Sequence, residues 1–318
     1  MKKIVSLVLA ALMLAAVFAF AGCKKAPVPD QAMIRIAALK GPTGMGVAPL
    51  MDSEKYPYFT VTIGSDPSAV TAAFIAGEYD VAALPVNVAS VLYNKLEGDV
   101  VVLGITTLGV LYVLEAGNEI NSMADLSGKT LYATGQGSTP EYVLNYLLEK
   151  NGLEDVTVEY KAEHSELASL MASGEVTLGM MPEPNVTATM VKNADLRVAL
   201  DLTEEWNKVS DTKLVQGVLV ARRSFVTAHP NDIKNLIAKY TEATQLVVTA
   251  SDEVAEMIVG AEILPAAAIA KAAIPRCNIV FITGEEMQKT LSAMYEVLFE
   301  ADPKSVGGKL PGEDIYYK

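Results

Sequence analysis

Histidine, cysteine and tryptophan are almost missing: 318 residues hold two histidines, two cysteines and one tryptophan. With only His164 and His229 to offer imidazole, a dedicated zinc site has almost no ligands to draw on, and no metal or other cofactor is expected. The two cysteines cannot build a disulfide framework, and Cys277 reads as a small buried hydrophobe. Positive charge is also short. Lys and Arg number 25 against 38 Asp and Glu, which argues against nucleic acid or an anionic lipid surface as partner. Beyond residue 22 no stretch is apolar for the about 20 residues that a bilayer crossing takes.

What the sequence does have begins at its N-terminus. Lys2 and Lys3 precede a run over residues 4–21 that is apolar but for Ser6, and the chain turns polar at Lys24-Lys25-Ala26-Pro27. A charged start, an apolar middle and a small-residue exit describe an export signal over residues 1–22, not a domain helix. Ala21-Gly22-Cys23 resembles a bacterial lipobox, in which the signal is cut before Cys23 and that cysteine is lipidated. Such an anchor holds a protein at a membrane face without spanning it. Residues 23–31 read as a linker, and the expected location is extracytoplasmic.

Removing 22 residues from 318 leaves 296, too many for one ordinary core and suited to two lobes of roughly 100–200 residues. Short apolar runs alternate with helical patterns, the mark of α/β architecture. Strands are expected over residues 33–39, 58–64, 80–84, 100–105, 111–115, 129–134, 156–160 and 216–222. Helices are expected over 69–76, 141–150, 226–250, 252–259, 265–273 and 285–299, the last four packing around the first lobe. Residues 40–46 read as a Gly-rich turn.

Midway, the plan restarts. Gly77 and Gly174, Glu78 and Glu175, and Pro85 and Pro182 are each 97 residues apart, around matching apolar runs. Internal repeats are sought before any fold is assigned, and this one indicates two similar lobes. Residues 32–115 and 218–318 are assigned to the first lobe, and residues 116–217 to a second lobe inserted into it. In each repeat a helix ends at glycine, a buried strand follows, and proline turns the chain out. Open α/β sheets bind ligands at those carboxyl ends, where helix N-termini present free N–H groups.

Candidate contacts follow from that placement. In the first lobe they are Lys40, Thr43 and Gly44 after the first strand, with a turn needed only for backbone geometry as the plainer reading. Asn87 either faces the cleft or caps the next helix. Thr106, beside Thr107, either donates a hydroxyl or is an ordinary strand residue. Asp66 is read as a helix cap. In the second lobe Gly135, Gln136, Gly137, Ser138 and Thr139 form the strongest candidate, because glycines let N–H groups approach a ligand while Ser138 or Thr139 caps the helix. The turn lacks the lysine and spacing of a P-loop. Glu183, held between two prolines, could accept from an N–H or amine, or be an exposed turn carboxylate. Trp206 is read as covering a lobe edge rather than stacking on a solute. Lys40 is the one cation in these loops, which favours a neutral or mixed-polarity organic solute.

The lipobox, the opening Ile34-Arg35-Ile36-Ala37-Ala38-Leu39-Lys40-Gly41-Pro42-Thr43-Gly44, the Met181-Pro182-Glu183-Pro184 turn and the closing Gly307-Gly308-Lys309-Leu310-Pro311 resemble the SsuA-like nitrate/sulfonate/taurine and thiamine-precursor group of substrate-binding proteins. The resemblance covers nearly the whole chain after Cys23. It implies a type II periplasmic-binding-protein fold with two crossovers and a ligand between the lobes. It also implies a small-molecule solute and an ABC permease as partners, no catalysis, and a monomer. Two alternatives share the fold: an enzyme of thiamine-pyrimidine synthesis type, which would depend on histidine and a cofactor lysine, and a lipoprotein feeding a membrane sensor.

Overall fold

The computed structural model describes residues 31–318. The expected signal, Cys23 and most of the linker lie outside the described residues. Residues 33–318 form one compact unit.

Its first sheet holds β1 (Ile34–Leu39), β2 (Phe59–Gly64), β3 (Val81–Pro85), β4 (Val101–Leu108), β10 (Val215–Ala221) and β11 (Ile279–Ile282), in the order β11-β4-β10-β3-β1-β2. β1 pairs in parallel with β2 and β3, while β10 runs antiparallel to β3 and β4. The second sheet holds β5 (Leu111–Ala116), β6 (Thr130–Thr134), β7 (Thr157–Lys161), β8 (Leu178–Pro182) and β9 (Leu196–Asp201), ordered β7-β6-β8-β5-β9. β6 is parallel to β7 and β8, and β5 is antiparallel to β8 and β9. The orders β2-β1-β3-β10 and β7-β6-β8-β5 therefore match, strand for strand and direction for direction. Strands covered on both faces are buried at nearly every position, and β3, β4 and β10 are so, mostly through apolar residues.

The sequence repeat is a repeat in space. α1 (Pro42–Val47) follows β1, and α2 (Pro67–Ala76) starts on the Asp66 carboxylate, which accepts from Ser68 N–H at 2.8 Å. α2 ends at Gly77, φ 80°, and β3 leads into α3 (Val86–Lys95). In the second lobe α4 (Thr139–Lys150) follows β6, and α5 (His164–Ser173) ends at Gly174, φ 81°. β8 then leads into α6 (Asn185–Lys192). Both glycines hold the left-handed conformation that a side chain disfavours, and each turns the chain straight into a buried strand.

The rest is α7 (Leu202–Val209), α8 (Arg223–Ala228), α9 (Pro230–Val247), α10 (Asp252–Gly260), α11 (Ala267–Ala273) and α12 (Gly284–Ala301). No described helix is long and apolar enough to cross a membrane.

Four expectations are corrected. β5 is hydrogen-bonded within the second sheet, so the chain leaves the first sheet after Leu108, ahead of the boundary set at 115. It rejoins at Val215, slightly ahead of residue 218. The Gly-rich stretch after β1 is a short helix, because Met45 and Val47 are buried against the core. The helix expected over 226–250 is two: α8 ends before His229, and Pro230, lacking an N–H, starts α9.

Candidate functional site

β1, β3 and β4 end on one edge of the first sheet, and the loops beyond them carry the first lobe's candidates. Thr43 Oγ1 donates to the Leu39 carbonyl at 3.0 Å, fixing the first turn of α1. Gly44 must be small, since a Cβ there would stand 2.6 Å from the Leu39 carbonyl oxygen. Thr106 and Thr107 are buried, and neither hydroxyl has a hydrogen-bond partner among the described residues. Both lie close to Gly217 on β10. A Cβ at Gly217 would stand 3.0 Å from Thr106 Oγ1 and Thr43 Cγ2, and 3.1 Å from Thr107 Oγ1. Three threonines thus converge on a glycine. Next to it, buried Gln216 has an unpartnered Nε2. Deeper still is Tyr240, fully buried, its phenol pushed up by burial against the pull of the nearby Thr106 hydroxyl. The two hydroxyls lie near each other without hydrogen-bond geometry.

The second lobe meets the first directly at Asn87. Thr139 Oγ1 donates to Asn87 Oδ1 at 2.9 Å, with both residues buried. Asn87, left open between cleft and cap, makes an interlobe contact. The turn ahead of Thr139 is built differently from the expectation. Gly135 and Gly137 have φ 85° and 73°, and Ser138 holds the N-cap position. Its hydroxyl turns back to donate to the Gly135 carbonyl at 2.8 Å, and the Gly137 N–H donates to Glu141 Oε2 at 2.6 Å. The Glu141 carboxylate therefore closes the turn ahead of the helix, and neither Ser138 nor Thr139, expected to cap it, does so with its side chain. Gln136 and Gly137 are exposed.

Glu183 is fully buried, not an exposed turn carboxylate. It accepts from Arg276 Nε at 2.7 Å, from Thr187 N–H at 3.1 Å and from Thr187 Oγ1 at 2.9 Å. Arg276 Nη2 also donates to Thr187 Oγ1 at 2.7 Å. Burial pushes the Glu183 carboxyl above the usual range, and Thr187 and Arg276 pull it back. Glu183 and Thr187 flank the start of α6, whereas Arg276 precedes β11, so the ion pair also runs between lobes. Gly41 lies close by, its Cβ position 3.8 Å from Pro184 Cδ. Arg276, bonded to the candidate Glu183, is a residue that sequence reasoning missed. It stands in the C-terminal section, outside the repeat, where strand ends gave no pointer.

Lys40 is exposed and lies apart from these contacts, in a groove of about 390 Å³ with Val259, Glu262, Ile263, Leu264 and Pro265. A groove of about 520 Å³ between Lys213 and α12 shares none of the residues above. Trp206 is buried, donates Nε1–H to the Thr212 carbonyl at 2.7 Å and packs on Tyr146. It is part of the second lobe's core. His164 begins α5, with Nδ1 2.7 Å from Thr134 Oγ1 at the carboxyl end of β6, and burial holds its pKa below the usual value. Cys277 is buried and free.

A family model for menaquinone biosynthesis matches residues 47–300. The chain belongs to that family. No curated protein gives a match. Among solved structures, the chain is similar to an ABC transporter from Parabacteroides distasonis: 22% identity, 91% of this chain and 99% of that one, TM-score 0.77. It is similar to the periplasmic aliphatic sulphonate binding protein SsuA from Escherichia coli at 20% identity, over 90% of this chain and 92% of that one, TM-score 0.68. The desulfurization enzyme DSZB aligns at 12% identity over 88% of this chain and 95% of that one, TM-score 0.61. At such identities the likeness is one of fold. The menaquinone-biosynthesis family member described here has the type II periplasmic-binding-protein fold. The resemblance to SsuA-like proteins holds at that level, since the matching family model is not a transporter family.

Proposed function

We propose that this chain is an extracytoplasmic solute-binding lipoprotein, anchored through Cys23, which captures a small organic solute between its lobes and delivers it to an ABC-type import permease. One observation carries the reading. Unpartnered buried hydroxyls at Thr106 and Thr107 gather at the strand ends of the first lobe, beside the Asn87–Thr139 contact with the second. Buried polar groups are nearly always satisfied, and a solute held there would satisfy these. Contacts between the lobes, such as Arg276 with Glu183, hold them together, and a solute that adds contacts in this arrangement would shift the balance further toward it. The export signal and lipobox, and the scarcity of imidazole, support capture over catalysis. Thr43, Gly44, Asn87, Thr139 and Glu183 are proposed as first contacts or their supports, with the exposed Gln136 at the rim.

The family favours a second reading, an enzyme on the same scaffold. Its general base would be His164, kept neutral at the carboxyl edge of the second sheet. Mass spectrometry separates the two. A small molecule released on denaturation, and recovered unchanged after prolonged incubation with fresh protein, supports binding. Conversion of that molecule, abolished by His164→Ala, supports the enzyme.

A further inference from the structure

We infer that residues 276–278 form a clasp at the pivot between the lobes, and that this clasp holds the lobes together with no solute bound. It works the same way whether the site between the lobes binds or catalyses. The chain crosses between the sheets at residues 109–110 and again at residues 210–214, and the two crossings touch. A Cβ on Gly109 would overlap Thr203 Oγ1 on α7 and stand 3.0 Å from Leu214 Cδ2. Glycine is what lets the crossings pass so closely. Hinges between lobes are a few such residues at the ends of elements.

Residues 276–278 are fixed to that pivot at one end and to the second lobe at the other. Asn278 holds a left-handed backbone, φ 43°, which asparagine adopts more readily than most side-chain-bearing residues. Its carbonyl accepts from Leu108 N–H at 3.1 Å, and its Nδ2–H donates to the Gly109 carbonyl. Arg276 turns the other way. Its carbonyl accepts from the Tyr112 hydroxyl on β5 at 3.2 Å, and its guanidinium donates to Glu183 and Thr187 at 2.7 Å each. Between them Cys277 is fully buried, and α11, just ahead, packs on α6 of the second lobe. All of these bonds are made by the chain's own groups, so none needs a solute. Separating the lobes would take the guanidinium from a fully buried carboxylate, whose Thr187 partners stay with it in the second lobe. Arg276 is 38% exposed, so water screens part of that loss. What remains favours contact by roughly 5- to 150-fold, enough to leave separated lobes a minor state.

The test measures the distance between the lobes in the chain of residues 24–318, freed of any solute by unfolding and refolding. Spin labels go on Ala72→Cys in α2 and Glu166→Cys in α5, both exposed positions, and buried Cys277 escapes labelling. Pulsed electron resonance on this background should give one distance. Arg276→Met combined with Tyr112→Phe should add a second, longer distance, with the ratio of separated to clasped molecules raised roughly 5- to 150-fold. Glu183→Gln keeps the shape of the buried side chain and should add the longer distance to a lesser extent. Lys213→Ala removes an exposed ion pair with Glu286 beside the second crossing and should leave the single distance. Circular dichroism establishes which variants are folded, and if the double variant is not, Glu183→Gln decides alone. Folded clasp variants that keep the single distance overturn the clasp. So does a solute-free background that already shows the longer distance in quantity, or a Lys213→Ala variant that separates as far as the clasp variants. The experiment uses no solute, so its failure leaves the binding reading standing.

Discussion

The hydroxyl of Thr139 donates to the side-chain oxygen of Asn87 at 2.9 Å, tying the first turn of α4 in one lobe to the first turn of α3 in the other. Both residues are buried, so the bond is shielded from competing water.

Removing either partner should loosen the lobes. Thr139→Val and Asn87→Ala are each expected to cost about 1–3 kcal/mol, because a buried polar partner is left unpaired. In a double-mutant cycle by urea unfolding, the pair should couple by about 0.5–1.5 kcal/mol. Simple additivity would show that the contact does not tie the lobes.

Arg276→Met strands a fully buried carboxylate. Breaking a buried ion pair costs about 3–5 kcal/mol. Arg276 is itself 38% exposed, so roughly 1–3 kcal/mol is expected after allowing for solvent screening. Glu183→Gln should cost less, since an amide needs no countercharge. Guanidinium denaturation of the two variants decides, and equal losses would contradict the burial argument.

His164 makes stability depend on pH. Its folded pKa lies below the ordinary 6.5 because burial disfavours the charged ring. Between the folded value and 6.5 the unfolded chain binds more protons, so the contribution is complete above 6.5 and is lost as pH falls through the folded pKa. His164→Gln should flatten this part of a melting-temperature profile taken from pH 8 to about 5. An unchanged slope would place the dependence on other groups.

Much of the fold could be read from residues, and the failures have physical causes. β1, β3 and β8 are apolar runs bounded by Gly or Pro, and the helix–Gly–strand–Pro repeat announced two similar lobes. β9 and β11 escaped because they are largely half-buried strands at the ends of their sheets, with weak patterns. α1 was hidden by Pro42, Gly44 and Gly46, and is helical through packing and not through propensity. The boundary near β5 was misplaced because an apolar strand does not state which sheet it joins. For the proposed site, strand ends pointed to Thr43, Asn87, Thr106 and Thr139. They could not reveal Arg276, which reaches Glu183 across 93 positions of sequence, nor that Glu141 would take the Gly137 N–H.

The central claim, that one solute is held at the threonine cluster between the lobes, is tested most directly by calorimetry with the molecule the purified protein releases. The wild type should bind it one to one. Thr106→Val and Thr107→Val should each lose about 0.5–1.5 kcal/mol of binding. Gly217→Ala, whose new methyl would press on all three threonines at 3.0–3.1 Å, should bind more weakly still. Wild-type affinity in all three variants would contradict the account and move the site elsewhere.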